Sequence, residues 1–199
     1  MNNRTLTLPF LLALTLGFAP QEPAQAAFLC PPCGSECHFV SYAKAGACGG
    51  CGMALVPAAS VPQVGVLLHE GVDLLTSTLT LGVLSAASCA RVFTVADTAQ
   101  PLRAADALEL RPQFAFAQAP ALDVLVVPEG FGSWDDPLIV EYVRGAAEHA
   151  RFVIVVGTGS VLLAKAGFLK GVHVALNPFV ARRLAELAPE LVSDPAVRL

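Results

Sequence analysis

The sequence predicts an α/β protein, a parallel sheet sandwiched by helices, with a small cysteine-rich module in front of it. Three observations carry this. From Val64 onward, near-continuous apolar runs such as "VGVLLHE" and "ALDVLVVPEG" alternate with helix-like segments, the pattern of strands buried on both faces. Five of the six cysteines fall between Cys30 and Cys51, which separates that segment from everything after it. A chain of 199 residues, 55% hydrophobic and only 14% charged, can bury one substantial core and is not a disordered chain. The net charge of -4, with basic residues scattered, leaves no electrostatic footprint for nucleic acid, and no such partner is expected.

Residues 1–26, "MNNRTLTLPFLLALTLGFAPQEPAQA", read as a secretory signal peptide. Arg4 stands before an apolar run from Leu8 to Ala19, and Ala24 and Ala26 form an A-x-A cleavage pattern. The run is shorter than the roughly 20 residues that a bilayer span needs. The mature protein is therefore expected in the periplasm or outside the cell.

Residues 28–57 form the second segment. Cys30 and Cys33 make one C-x-x-C, Cys48 and Cys51 another, each in a Pro/Gly-rich turn that can aim two thiolates at one centre. Two such knuckles supply four soft ligands, the shell of a closed structural zinc site. Cys37 and His38 are spare donors that suit another soft metal such as Cu(I). The alternative is disulfide pairing, as usual in an oxidising compartment. So short a segment cannot fold on apolar burial alone and needs one staple or the other. The phrase "CPPC...GACGGCGMALVP" resembles the short heavy-metal-binding domain whose members end in C-x-x-C-G-M-x-L-x-P. That resemblance implies Cys30, Cys33, Cys48 and Cys51 as the ligands, with Met53 packing beneath them.

After a small, Pro-punctuated linker, "AASVPQ", the α/β domain is expected over 64–199. "VGVLLHE" reads as a central strand, "VDLLTSTLTLGVLSAA" as a helix, "ARVFTVAD" and "ALDVLVVPEG" as strands. "DDPLIVEYVRGAAEHA" is a well-marked helix, with Asp135 or Asp136 to cap it and Pro137 in its first turn. A strand over Phe152–Val156, a turn over Gly157–Gly159 and a helix over Ser160–Ala166 follow.

Ligands in open α/β sheets gather beyond the carboxyl ends of the strands. Three segments end at that rim: "LLHEG", "VVPEG" and "VVGTG". Their order, together with "LLAKAGFLKG", resembles the ThiJ/PfpI family of the class I glutamine amidotransferase-like superfamily, which implies a flavodoxin-like sheet. That family's elbow reads V-C-T-G with a nucleophilic Cys; this chain reads Val156-Gly157-Thr158-Gly159. The acid that the family places after its first strand matches Thr76, or less well Asp73, and its downstream His matches Asn177, with His173 earlier on the strand. A nucleophile needs a base within hydrogen-bond reach, and none of the three groups is in place. A degenerate elbow is therefore expected, in a pocket of Glu129, Gly130, Thr158, Gly159 and Thr76 that takes a small-molecule ligand.

Other residues have plainer readings. Thr158 and Ser160 are expected to cap the helix, His69 and Glu70 to be solvated rim residues, with contact to a ligand or metal as the alternative, and His149 to complement a helix dipole. Cys89 reads as a buried small hydrophobe, and "GTGS" lacks the Lys and third Gly of a phosphate loop. The family continues through further strands, whereas this sequence stops at Leu199, as it would if the sheet had lost an edge or the gene product were truncated. The function expected is that of an exported protein binding zinc or another soft metal, with a non-catalytic ThiJ/PfpI-like domain. The alternative is a hydrolase or lyase using Glu129, Thr76 or a metal-bound water. The resemblance also implies a homodimer.

Overall fold

The computed structural model describes residues 28–31, 33, 37, 40–86, 90–171, 173–174, 178–189 and 192–193. The expected signal peptide, His38, Cys89 and Asn177 lie outside the described residues. Among the described residues no helix is long and apolar enough to cross a membrane.

The cysteine-rich segment folds around three two-residue strands, β1 (Phe28–Leu29), β2 (Ser41–Tyr42) and β3 (Val56–Pro57), with β1 in the middle and both pairings antiparallel. Strands this short bury almost nothing, so the sheet depends on what the cysteines do.

The apolar runs form a five-stranded parallel sheet. Its members are β4 (Gln63–Leu67), β5 (Arg91–Ala96), β8 (Phe114–Ala115), β9 (Val124–Val127) and β10 (Phe152–Val155), in the order β10-β9-β4-β5-β8. All pairings are parallel, with Val64 opposite Val92 on one side and Val124 on the other. The chain runs from β4 outward to β5 and later returns to β9 on the opposite side of β4, which makes the β4/β9 edge the topological switch point. This is the flavodoxin-like α/β architecture. Between β5 and β8 lies a hairpin of β6 (Leu102–Arg103) and β7 (Glu109–Leu110), and a further pair joins β11 (His173–Val174) to β12 (Val192–Ser193). His173 falls on a strand as expected; the β6–β7 hairpin and β12 were not expected from the sequence.

Alternate side chains of a strand serve opposite faces, and the core divides accordingly. Leu125 and Val127 pack with α2 (Pro137–His149), α3 (Ser160–Lys165) and α4 (Ala181–Leu187), whereas Val64, Val66, Val92 and Val126 meet Leu81 and Leu84 of α1 (Leu74–Ala86). Helix α2 starts as expected: Asp136 Oδ1 accepts from Leu138 N at 2.9 Å, with Pro137 as the first helical residue. Its apolar stripe, Ile139, Val143 and Ala147, is buried at the i, i+4, i+8 spacing. Helix α1 opens on Asp73, whose carboxylate accepts from Thr76 N at 2.7 Å.

Candidate functional site

Two places gather chemistry-bearing groups. In the first, the sulfurs of Cys30, Cys37, Cys48 and Cys51 all lie within 4.8 Å of one another. A tetrahedron of sulfurs at about 2.3 Å from a zinc ion has edges of about 3.8 Å. The Cys30–Cys51 and Cys30–Cys37 separations of 3.4 and 3.9 Å match such edges. Cys33 stands beside this group as a fifth sulfur, 3.2 Å from Cys37 and 4.0 Å from Cys30. Three of the four expected ligands are thus brought together with Cys37, one of the spare donors. None of the described cysteines is in a disulfide.

Local structure explains the convergence. Gly52 N donates to Cys48 O and Cys48 N to Met53 O, each at 2.8 Å, and Leu55 N reaches Gly46 O. This closed loop, with an isolated bridge between Ala47 and Ala54, turns Cys48 and Cys51 toward Cys30. Met53, expected to pack, is instead exposed and contributes its backbone carbonyl. Tyr42, which the sequence analysis did not single out, places its hydroxyl 3.3 Å from Cys48 Sγ. Hydrogen bonding from that hydroxyl, followed by backbone N–H groups, brings the Cys48 thiol down to about 6. The Tyr42 hydroxyl is correspondingly pushed up. Burial raises Cys30, and the neighbouring Cys33 thiol pushes Cys37 up to about 12. Metal ligation needs thiolates, so filling this shell releases protons.

The second place is the turn after β10, at the switch-point rim. Val156 N still donates to Val127 O at 2.9 Å, and then Gly157 adopts φ +52. A left-handed backbone costs other residues roughly 1–2 kcal/mol. A Cβ at Gly157 would lie 2.6 Å from Glu129 Oε2 and 2.8 Å from its Cδ. The turn is therefore one that suits glycine, and the Glu129 carboxylate fills the space into which a side chain at 157 would project.

The neighbouring turns are stitched to it. Thr158 is fully buried, and its hydroxyl donates to Gly130 O and accepts from Gly130 N, both at 3.0 Å. Gly130 in turn bridges Val72, Asp73 N donates to Glu129 O, and Phe131 N donates to Gly71 O. The hydroxyl expected to cap α3 instead ties the elbow to the "VVPEG" turn. Ser160 is likewise no cap: Gly159 holds the N-cap position, and Ser160 Oγ donates back to Gly157 O at 2.9 Å. Thr76 sits in the first turn of α1 with its hydroxyl 3.4 Å from Asp73 O, so it supplies no acid, and the Asp73 carboxylate is engaged as the helix cap. His69 departs furthest from expectation. It is 2% exposed, not a solvated rim residue, because it ends the apolar run of β4 and tucks its ring against Gly130. Glu70 is exposed, as expected, and accepts from Arg103 N. His149 lies 2.8 Å from Gly145 O in the last turn of α2, and His173 falls in β11.

The profile of the DJ-1/PfpI family matches residues 62–198. This chain belongs to the DJ-1/PfpI family. An isonitrile hydratase from Pseudomonas putida is 32% identical over 139 residues, 68% of this chain and 61% of that protein. Among solved structures, a ThiJ/PfpI family protein from Pseudomonas syringae superimposes with a TM-score of 0.64 at 22% identity, covering 70% of this chain and 60% of the other. Schizosaccharomyces pombe DJ-1 gives a TM-score of 0.55 at 14% identity over 67% and 77% of the two chains. The chain thus spans about six-tenths of the length of the hydratase and of the Pseudomonas syringae protein. Within the DJ-1/PfpI domain, Gly157 stands in a left-handed turn and has no side chain to attack with.

A cysteine restored at 157 tests this arrangement. The new side chain must displace the Glu129 carboxylate, and the remaining negative charge opposes a thiolate. Gly157→Cys is expected to react slowly with iodoacetamide, and Gly157→Cys combined with Glu129→Gln about tenfold faster, the effect of one pKa unit. Equal rates in the two variants would show that Glu129 does not control this position.

Proposed function

We propose that this is an exported metal-binding protein in which the cysteine cluster is the working site and the DJ-1/PfpI domain performs no thiol chemistry. The observation that carries the reading is the set of four sulfurs within 4.8 Å of one another, a donor set that suits zinc or a soft ion such as Cu(I). The elbow adds support, because Gly157 and the Glu129 carboxylate stand where the family's chemistry needs a thiol. Export to the periplasm or beyond rests on the signal-like residues 1–26. The deciding experiment is elemental analysis, with a count of free thiols, on the full chain freshly isolated without added reductant. About one ion per chain is expected, from one four-sulfur shell; cysteines locked in disulfides without metal would overturn the reading.

One observation favours a second reading. The 32% identical relative is an isonitrile hydratase, and a carboxylate at the elbow can hold and move a proton. A hydratase built on Glu129 would turn over an isonitrile, resist iodoacetamide and lose activity in Glu129→Gln. The metal-binding reading of the domain requires no turnover in that assay.

A further inference from the structure

The turn after β4 holds a side chain with no role in either site. His69 is 2% exposed, and its Nδ1 lies 2.9 Å from Glu70 O. A carbonyl only accepts, so Nδ1 carries the proton, and a neutral ring then presents Nε2 as a bare acceptor. Burial pushes the imidazole down from its ordinary value, which keeps it neutral at pH 7. Ser133 Oγ donates to the same carbonyl at 2.8 Å and helps to hold that arrangement. Nε2 itself is buried with no hydrogen-bond partner. Buried acceptors are nearly always paired, so this one points to a donor from outside the chain.

His69 lines a cavity of about 350 Å³ together with Glu70, Asp97, Thr98, Ser133 and Asp136. The cavity lies at the carboxyl ends of β4 and β5, and Leu102 and Ile139 form its apolar wall. Three of its lining groups are carboxylates and none is a lysine or arginine. Each carboxylate has met a backbone N–H: Asp97 that of Thr98, Asp136 that of Leu138, Glu70 that of Arg103. Each keeps further lone pairs for a ligand. Among the described residues, the thiols are the one group of three or more donors close enough for a common ion, so this cavity is not a preassembled metal shell.

We propose that the cavity binds a small organic cation, a primary amine or guanidinium compound, whose N–H donates to His69 Nε2 and whose charge faces Asp97, Asp136 and Glu70. The inference stands apart from the cysteine cluster and from the elbow. It goes beyond the metal-binding reading by assigning the domain a ligand class.

The test is calorimetric titration of the full chain with putrescine and with agmatine, alongside zinc alone. Either amine is expected to bind, with affinity about tenfold weaker in His69→Phe, which keeps a ring but loses the acceptor, and in Asp97→Asn. Asp97 is exposed, so its variant remains informative if His69→Phe folds poorly. Binding should be unchanged in Cys48→Ala/Cys51→Ala, which separates failure here from failure of the metal reading. Three results would each overturn the proposal: no binding of either amine, binding that Asp97→Asn and His69→Phe leave intact, or zinc displacing the amines through His69.

Discussion

Replacing Cys48 and Cys51 together with alanine is expected to abolish metal binding and to melt the segment built on β1, β2 and β3. Half of the four-sulfur group is lost, and two thiols cannot close a tetrahedral shell. The three strands of that segment have two residues each, far too little to hold a fold unaided. A structural zinc ion in such a module contributes on the order of 10–16 kcal/mol, more than any packing term available there. Single changes refine the expectation. Cys37→Ala should cost more affinity than Cys33→Ala, since Cys37 belongs to the mutually close group and Cys33 stands beside it. Competition with a chromogenic chelator reads both effects. Full occupancy in the double variant would remove the cluster from consideration as the metal site.

Gly71→Ala is expected to be the most damaging single change in the DJ-1/PfpI domain. Gly71 has φ +76, and a Cβ there would sit 1.9 Å from Phe131 O. The obstacle is backbone, so no side chain can swing away. Gly71 N donates to Arg103 O and Gly71 O accepts from Phe131 N, which means that relieving the clash pulls three segments apart. The left-handed conformation alone costs about 1–2 kcal/mol. With the broken contacts, a loss of at least about 3 kcal/mol is expected, a fall in Tm of roughly 10 °C for a chain of this size. Gly145→Ala is the control: it lies within α2 with nothing within 4 Å of the added Cβ, and alanine favours helix by up to about 1 kcal/mol. A Gly71→Ala melting curve that overlays the wild type would mean that this turn does not hold the rim together.

These expectations draw on two kinds of information. The parallel strands were legible because Val64–Leu67 and Val124–Val127 are near-continuous apolar runs and Arg91–Ala96 is rich in β-formers, the pattern of strands in a sheet covered on both faces. The start of α2 was legible because Asp136 and Pro137 act on backbone groups within one turn. The absence of a side chain at 157 and the crowding of cysteines between 30 and 51 were legible because each is a matter of which residues the chain carries, whatever the fold does. All of these are local in the chain, or depend on composition alone.

Tertiary structure decided what depends on segments far apart in sequence. Thr158 bonds Gly130 from 28 residues away instead of capping its own helix, because the two turns meet at the switch point. Glu129 occupies the space beside Gly157 for the same reason. His69 is buried because Gly130 lies against its ring, a contact between strand ends that no periodicity reveals. Cys37 stands in the close sulfur group, where spacing alone favoured the paired knuckles. Periodicity and capping act over one turn or one strand and are written in neighbouring residues. Which turns come to face each other is set by strand order, and strand order emerges only when the sheet assembles.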